Sequence, residues 1–176
     1  MIDLQEVRFR AAVKRGYRNW VSRFGEPFGP DTRFTDMSME TLSYLAQGKD
    51  KGTFYLYDLI MNLKGLGTGF EFNELTPKNK MVVIDLYLFV LDQIRFECMK
   101  RLEWIERYPG EAHALAELID QYNDLAPRLQ AKIPELSRTH PGYDKYRELN
   151  TFDQEGFIRK LIPKALKAVE DYASTR

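Results

Sequence analysis

The sequence predicts an all-α fold, a single-domain helical bundle of five or six helices spanning residues 1–176 around a long central helix at about 77–107. Three observations carry this. Apolar residues recur at steps of three, four and seven, the period of one helical face. Most prolines and glycines cluster between the periodic stretches, where they punctuate the chain. From Lys78 to Arg107 there is no proline or glycine at all, which at 1.5 Å per residue allows a helix roughly 45 Å long.

The elements follow in order. Ile2, Phe9, Val13, Tyr17, Trp20 and Phe24 share one face, so a single helix is expected over residues 2–24, stopped by "GEPFGPDTR". Ser38 caps a short helix to about Gln47, with Gly48 just beyond its end. In "TFYLYDLIMNLK" the aromatics suit a strand, but Leu56, Leu59, Ile60 and Leu63 keep the helical period, and helix is expected over 53–64. Thr76 as cap and Pro77 at the first helical position open the central helix, which "YPG" at 108–110 ends. A further helix is expected over 111–125, stopping near Pro127. Residues 132–151 should be partly irregular, with one short helix at 143–149. The last helix starts near Asp153 and bends at Pro163.

Composition bounds the function. Hydrophobic residues make up 44% and aromatics 13% of the 176, enough to bury a core. The 26 basic residues balance 26 acidic ones, against the basic excess of a dedicated nucleic-acid binder. A single cysteine, Cys98, excludes an internal disulfide and a cysteine-built zinc cluster. The N-terminal residues lack an apolar signal core, and the longest apolar run, 81–91, is too short to span a bilayer and contains Asp85. These features read as a cytoplasmic protein with no membrane association.

The stretch nearest to a catalytic signature is "NLKGLGTGFEF". Lys64, Gly65, Gly67 and Gly69 form a candidate ligand loop, because glycines let backbone N–H groups approach an anion. The spacing is G-x-G-x-G, however, the preceding segment reads as helix, and "FEFNEL" separates the glycines from the next one. Neither the dinucleotide fingerprint nor the Walker pattern is met. The expectation is a connector in which Gly65 or Gly67 takes the left-handed conformation that ends a helix.

His113, Glu117, Asp120 and Asp124 fall within about 60° on a helical wheel and are candidate metal ligands. Leu115, Ile119 and Tyr122 occupy the opposite side, which favours a solvated acidic stripe. Asp85 and Asp92, seven apart on the central helix, form a second carboxylate pair of interest if buried. Cys98 lies on an apolar seam and reads as an inert thiol. His140 has Ser137 nearby but no nucleophile elbow and no acid partner. No catalytic residue and no cofactor is implied, and the balance falls on the non-enzymatic side.

Charge is segregated. Six basic residues and no acid lie between Arg8 and Arg23; residues 111–124 carry four acids and no Lys or Arg. The first expectation is therefore a non-enzymatic interaction or regulatory protein, self-associating or docking a protein partner, through Arg8, Lys14, Arg15 and Arg18 together with Phe70 and Phe72. The alternatives are weakly sequence-specific nucleic-acid binding through the basic N-terminal helix and a small ligand- or metal-binding bundle, its site between the central helix and the glycine loop.

Overall fold

The computed structural model describes residues 1–174 and is all-α, with nine α-helices among the described residues: α1 Leu4–Gly16, α2 Arg18–Phe24, α3 Met39–Ala46, α4 Asp50–Leu63, α5 Pro77–Arg101, α6 Leu115–Asp120, α7 Tyr122–Gln130, α8 Tyr143–Arg147 and α9 Thr151–Ser174. The excess over five or six comes from short pieces, as the helices expected over 2–24 and 111–125 are each divided in two. None of the helices is long and apolar enough to cross a membrane.

Local capping chemistry holds where it was expected. The Ser38 hydroxyl accepts from Thr41 N–H at 3.1 Å and the Thr76 hydroxyl from Asn79 N–H at 3.2 Å, starting α3 and α5. Gly48 has φ +68°, a conformation in which a side chain is strained. The ambiguous segment at 53–64 is helix, and α4 buries Leu56, Leu59 and Ile60 completely.

The interruptions have tertiary causes. Instead of one helix over 2–24, the chain bends at Tyr17. At this bend Gly16 touches α4 so closely that a Cβ there would lie 2.8 Å from Leu59 Cδ1 and 3.3 Å from its Cα. The redirected α2 drives Trp20 fully into the core, where its indole N–H donates to Tyr55 O at 2.9 Å. Trp20 and Phe24 both stack edge-on with Phe28, and Phe24 also with Tyr44.

Helix α5 ends at Arg101, short of Arg107, and Glu103 takes the left-handed region at φ 63°. Left-handed backbone costs a non-glycine residue about 1–2 kcal/mol. In return the chain reverses, Ile105 bridges Leu136, and Ser137 N–H donates to Trp104 O at 2.9 Å. Ile105 and Tyr108 are both buried, each contributing about 2 kcal/mol, so the reversal wins.

The helix expected over 111–125 is broken at Gln121, and α7 runs through Pro127 to Gln130. Helix α9 likewise continues through Pro163, which is exposed. Helix α5 is the centre of the core, packed against α3, α4, α6 and α9, while α1 lies along α4.

Candidate interaction cleft

Helix α4 carries an aspartate in the middle of its buried arc. Asp58 is 3% exposed, and three donors satisfy it. Its Oδ1 accepts from Gly69 N–H at 2.9 Å and from Asn62 Nδ2 at 3.2 Å; its Oδ2 accepts from Asn19 Nδ2 at 3.0 Å. Asn19 belongs to α2 and Gly69 opens the 3-10 turn Gly69–Glu74, so this carboxylate ties three segments together. Gly69 is glycine for lack of room: a Cβ would stand 2.9 Å from Phe54 Cε2 and 3.2 Å from Asp58 Cα.

The glycine loop is thereby filled from within. Gly65 and Gly67 take φ 68° and 97°, and Leu66 N–H returns to Met61 O at 2.9 Å, closing α4. Thr68 N–H donates to Glu71 Oε2 at 3.2 Å, as Gly69 N–H does to Asp58. An incoming anion would have to displace two carboxylates, so the cradle expected of a ligand loop is not open. Lys64 turns elsewhere, donating to Asp120 O at 3.3 Å between the ends of α4 and α6. Burial pushes its pKa below the usual lysine value, partly offset by the Asp120 carboxylate.

Above Asp58 lies an open cleft of about 240 Å³, walled on one side by Arg15, Arg18 and Asn19 and on the other by Asn62, Thr68 and Phe70. Arg15 and Arg18 are exposed, and among the described residues no carboxylate lies within 4.0 Å of either. Phe70 is 82% exposed, its ring 4.7 Å from that of Phe54. Three residues singled out separately in the sequence thus line one cleft. Arg8 and Lys14 are exposed on α1 outside its lining. Phe72 is not part of it either: half-buried, it packs on Tyr57 at 4.7 Å with the Lys80 ammonium 5.9 Å from its ring centroid.

The other candidates are dispersed. His113 sits in extended backbone at φ −111°, ψ 146°, past the turn Pro109–Ala112, and its ring pairs with Glu117 at 2.9 Å. The break at Gln121 removes Asp124 from the wheel, and Asp120 is exposed. No three His, Cys, Asp or Glu side chains among the described residues are grouped to hold a metal ion, so the metal set His113, Glu117 and Asp120 does not assemble. Asp85 is exposed, and Asp92 pairs with Arg159 of α9 at 3.1 Å, so the two do not form a buried carboxylate pair. His140 Nδ1 accepts from Gly142 N–H at 3.0 Å; burial and the Lys164 charge push its pKa below the usual imidazole value. Ser137 is buried and bonds through its backbone.

Cys98 is fully buried, and burial pushes its thiol up to about 12. Alkylation by iodoacetamide is therefore expected to proceed at the rate of global unfolding, with rapid labelling in native buffer as the contrary result.

Sequence reasoning missed Asp58, Asn19 and Asn62. A signal was present: Asp58 and Asn62 are one helical turn apart within the apolar run "FYLYDLIMNL", where polar residues need a partner if buried. The buried Glu97 was also missed; it accepts from Tyr108 Oη at 2.7 Å and Arg101 Nε at 3.0 Å. Comparison with protein-family models, curated proteins and solved structures finds no match.

Proposed function

We propose that the protein is a non-enzymatic interaction module that docks a carboxylate-bearing protein segment in the cleft above Asp58. The observation that carries this is the meeting of two unpaired arginines with an exposed Phe70 over a floor held by hydrogen bonds. Arginine and aromatic side chains are the residues enriched at the energetic centres of interfaces. An acidic segment with one apolar side chain would place its carboxylates on Arg15 and Arg18 and its apolar group on Phe70. Two arginines above a buried carboxylate offer little to a nucleic acid, whose phosphates call for many cations along a track. The net charge of zero points the same way.

A second copy of the chain is one source of such a segment, because the exposed Asp120 and Asp124 supply the complementary charge. If made reciprocally that contact closes a two-fold dimer, and if made head to tail it builds rings or open chains.

The test is fluorescence anisotropy with a labelled peptide of alternating glutamate and leucine, beside a lysine-leucine control and a single-stranded oligonucleotide. The acidic peptide is expected to bind best and to weaken with salt. Arg15→Glu with Arg18→Glu should reduce its affinity by at least about tenfold, and Phe70→Ala by a similar factor. Indifference to these substitutions would remove the proposal, and tighter binding of the oligonucleotide would replace it. Sedimentation velocity of the wild type and the arginine variant separates self-association from docking of a foreign partner.

A further inference from the structure

A groove of about 920 Å³ runs between α9 and the segment 140–149 that carries α8, and it shares no lining residue with the docking cleft. Its surface is mainly apolar. Leu149, Phe157 and Leu161 form the floor, each half-buried, and Phe152 stands where α9 begins, 82% exposed. The Phe157 ring ties the two walls together, lying edge-on to His140 at 6.5 Å and to Tyr146 of α8 at 5.7 Å. The groove is therefore part of the packed fold and yet open to solvent. Contiguous exposed apolar surface of this kind marks a place where something binds.

Gly156 lies inside α9 on the same surface, and a Cβ there would meet nothing within 4 Å. Alanine is the better helix former, so packing gives no reason for glycine at this position. The missing side chain instead leaves the helix backbone open to whatever enters the groove. Charge is uneven along it. Four basic and two acidic side chains line the groove, and Arg159 is engaged by Asp92 and Glu155. That leaves Lys145, Lys160 and Lys164, none with a carboxylate within 4.0 Å among the described residues, against Asp153 in the first turn of α9. Lys160 and Lys164 are one helical turn apart, where like charges repel unless an anion joins them. His140 Nδ1 accepts from Gly142 N–H at 3.0 Å, so the neutral ring keeps its proton on Nε2, a donor without an acceptor among the described residues.

We propose that this groove binds a single-chain anionic amphiphile, a long-chain fatty carboxylate. The carboxylate lies at Lys160, Lys164 and His140 Nε2–H, and the alkyl chain runs past Gly156 and over Phe157 towards Phe152. From Phe152 to Lys164 the helix advances roughly 18 Å, room for an extended chain, and the volume is that of a small-molecule site. The unpaired cations and the unpaired acid sit at opposite ends of this stretch of α9, which selects a ligand charged at one end only. A protein segment or nucleic acid with negative charge along its whole length would meet Asp153 and Glu155 at the other end. The inference is independent of the docking cleft, and either stands if the other fails.

The experiment uses the full chain, labelled with ¹⁵N, and probes kept below their micellar concentrations: octanoate, decanoate and dodecanoate, with decyltrimethylammonium as the cationic control. Decanoate is expected to shift the backbone signals of Phe152, Gly156, Phe157 and Lys160, saturating with a Kd below about 1 mM. Each added pair of methylenes should tighten binding by at least about threefold, since one fully buried methylene is a factor of about four and the groove is open on one side. Decyltrimethylammonium should bind at least about tenfold more weakly than decanoate. Gly156→Leu fills the groove from a position with free space above it, and should abolish the shifts without lowering the melting temperature. Lys160→Gln with Lys164→Gln, both exposed, should weaken decanoate by at least about tenfold and leave the cation unweakened. If Gly156→Leu is destabilised, the lysine variant and the order of the probes decide. No saturable shift at these residues overturns the proposal, as does affinity indifferent to chain length, to the sign of the head group or to the lysine substitutions. Tighter saturation of the same signals by the glutamate-leucine peptide, or by phosphatidylserine vesicles that decanoate does not displace, would assign the groove to a protein segment or a membrane surface and overturn it equally.

Discussion

Replacing Asp58 by alanine is expected to destabilise the fold by about 3 kcal/mol and to detach the glycine loop from α4. The carboxylate is 3% exposed and takes the Gly69 N–H and the two asparagine amides of Asn19 and Asn62. Hydrogen bonds to a charged group contribute about 1.5–3 kcal/mol each, and three donors lose their acceptor together. Part of that loss is returned because a desolvated charge is also removed, which is why the expected total stays near a single strong bond rather than the sum of three. Urea denaturation measures the stability, and amide hydrogen exchange at Gly69 reports the loop. Asp58→Asn keeps one acceptor oxygen but turns an amide donor on the other donors, and should fall between the two. A stable Asp58→Ala protein whose Gly69 amide remains protected would show that the carboxylate does not hold the loop. In the binding assay the same variant should lose acidic-peptide affinity without any change in Arg15, Arg18 or Phe70, since its effect reaches the cleft through the floor.

Glu97→Ala is expected to cost about 3–4 kcal/mol, the scale of breaking a buried ion pair from one side. Glu97 is 2% exposed on α5; it accepts from Tyr108 Oη at 2.7 Å and from Arg101 Nε at 3.0 Å. Arg101 in turn donates to Phe34 O at 3.0 Å and Thr35 O at 3.3 Å, so one carboxylate aligns the end of α5, the returning chain at Tyr108 and the segment before α3. Burial first, and then the Glu97 charge, push the Tyr108 phenol above its ordinary pKa, so it stays a donor at any pH at which the fold persists. The Arg101 side chain is 24% exposed and its share is screened, which keeps the figure at the lower end. A double-mutant cycle checks the assignment. Tyr108→Phe alone should cost about 1–2 kcal/mol but close to nothing once Glu97 is alanine. Additive losses in denaturant would refute the coupling.

The docking cleft divides in the same way between what was legible and what was not. Arg15, Arg18 and Phe70 stood out in the sequence because they break local expectation: a basic run without acids, and an aromatic ring beside glycines. Their meeting was not legible, because it depends on the bend at Tyr17 and on Asp58 drawing the turn Gly69–Glu74 onto α4. Phe70 and Phe72 are two residues apart and read alike, yet one is 82% exposed and the other packs on Tyr57. Only the position of α4 distinguishes them. The metal stripe failed for a related reason, since a helical wheel assumes a continuous helix and neither His113 nor Asp124 shares α6.

By itself the sequence determined the helical class, the starts of α3 and α5, the helical character of α4 and the left-handed glycines that end segments. Each depends on atoms within a turn or two of the chain, where a hydroxyl, a proline ring or a missing Cβ acts on its own neighbours. Tertiary structure alone decided that the first helix breaks beside Gly16, at Tyr17, that helices end near Glu103 and at Gln121 without a breaker, and that α7 and α9 continue through proline. Helix-propensity differences reach about 0.7 kcal/mol among ordinary residues and about 1 kcal/mol for glycine, whereas burying Trp20 or Tyr108 is worth about 2–3 kcal/mol, so long-range packing overrules the local preference at the breaks.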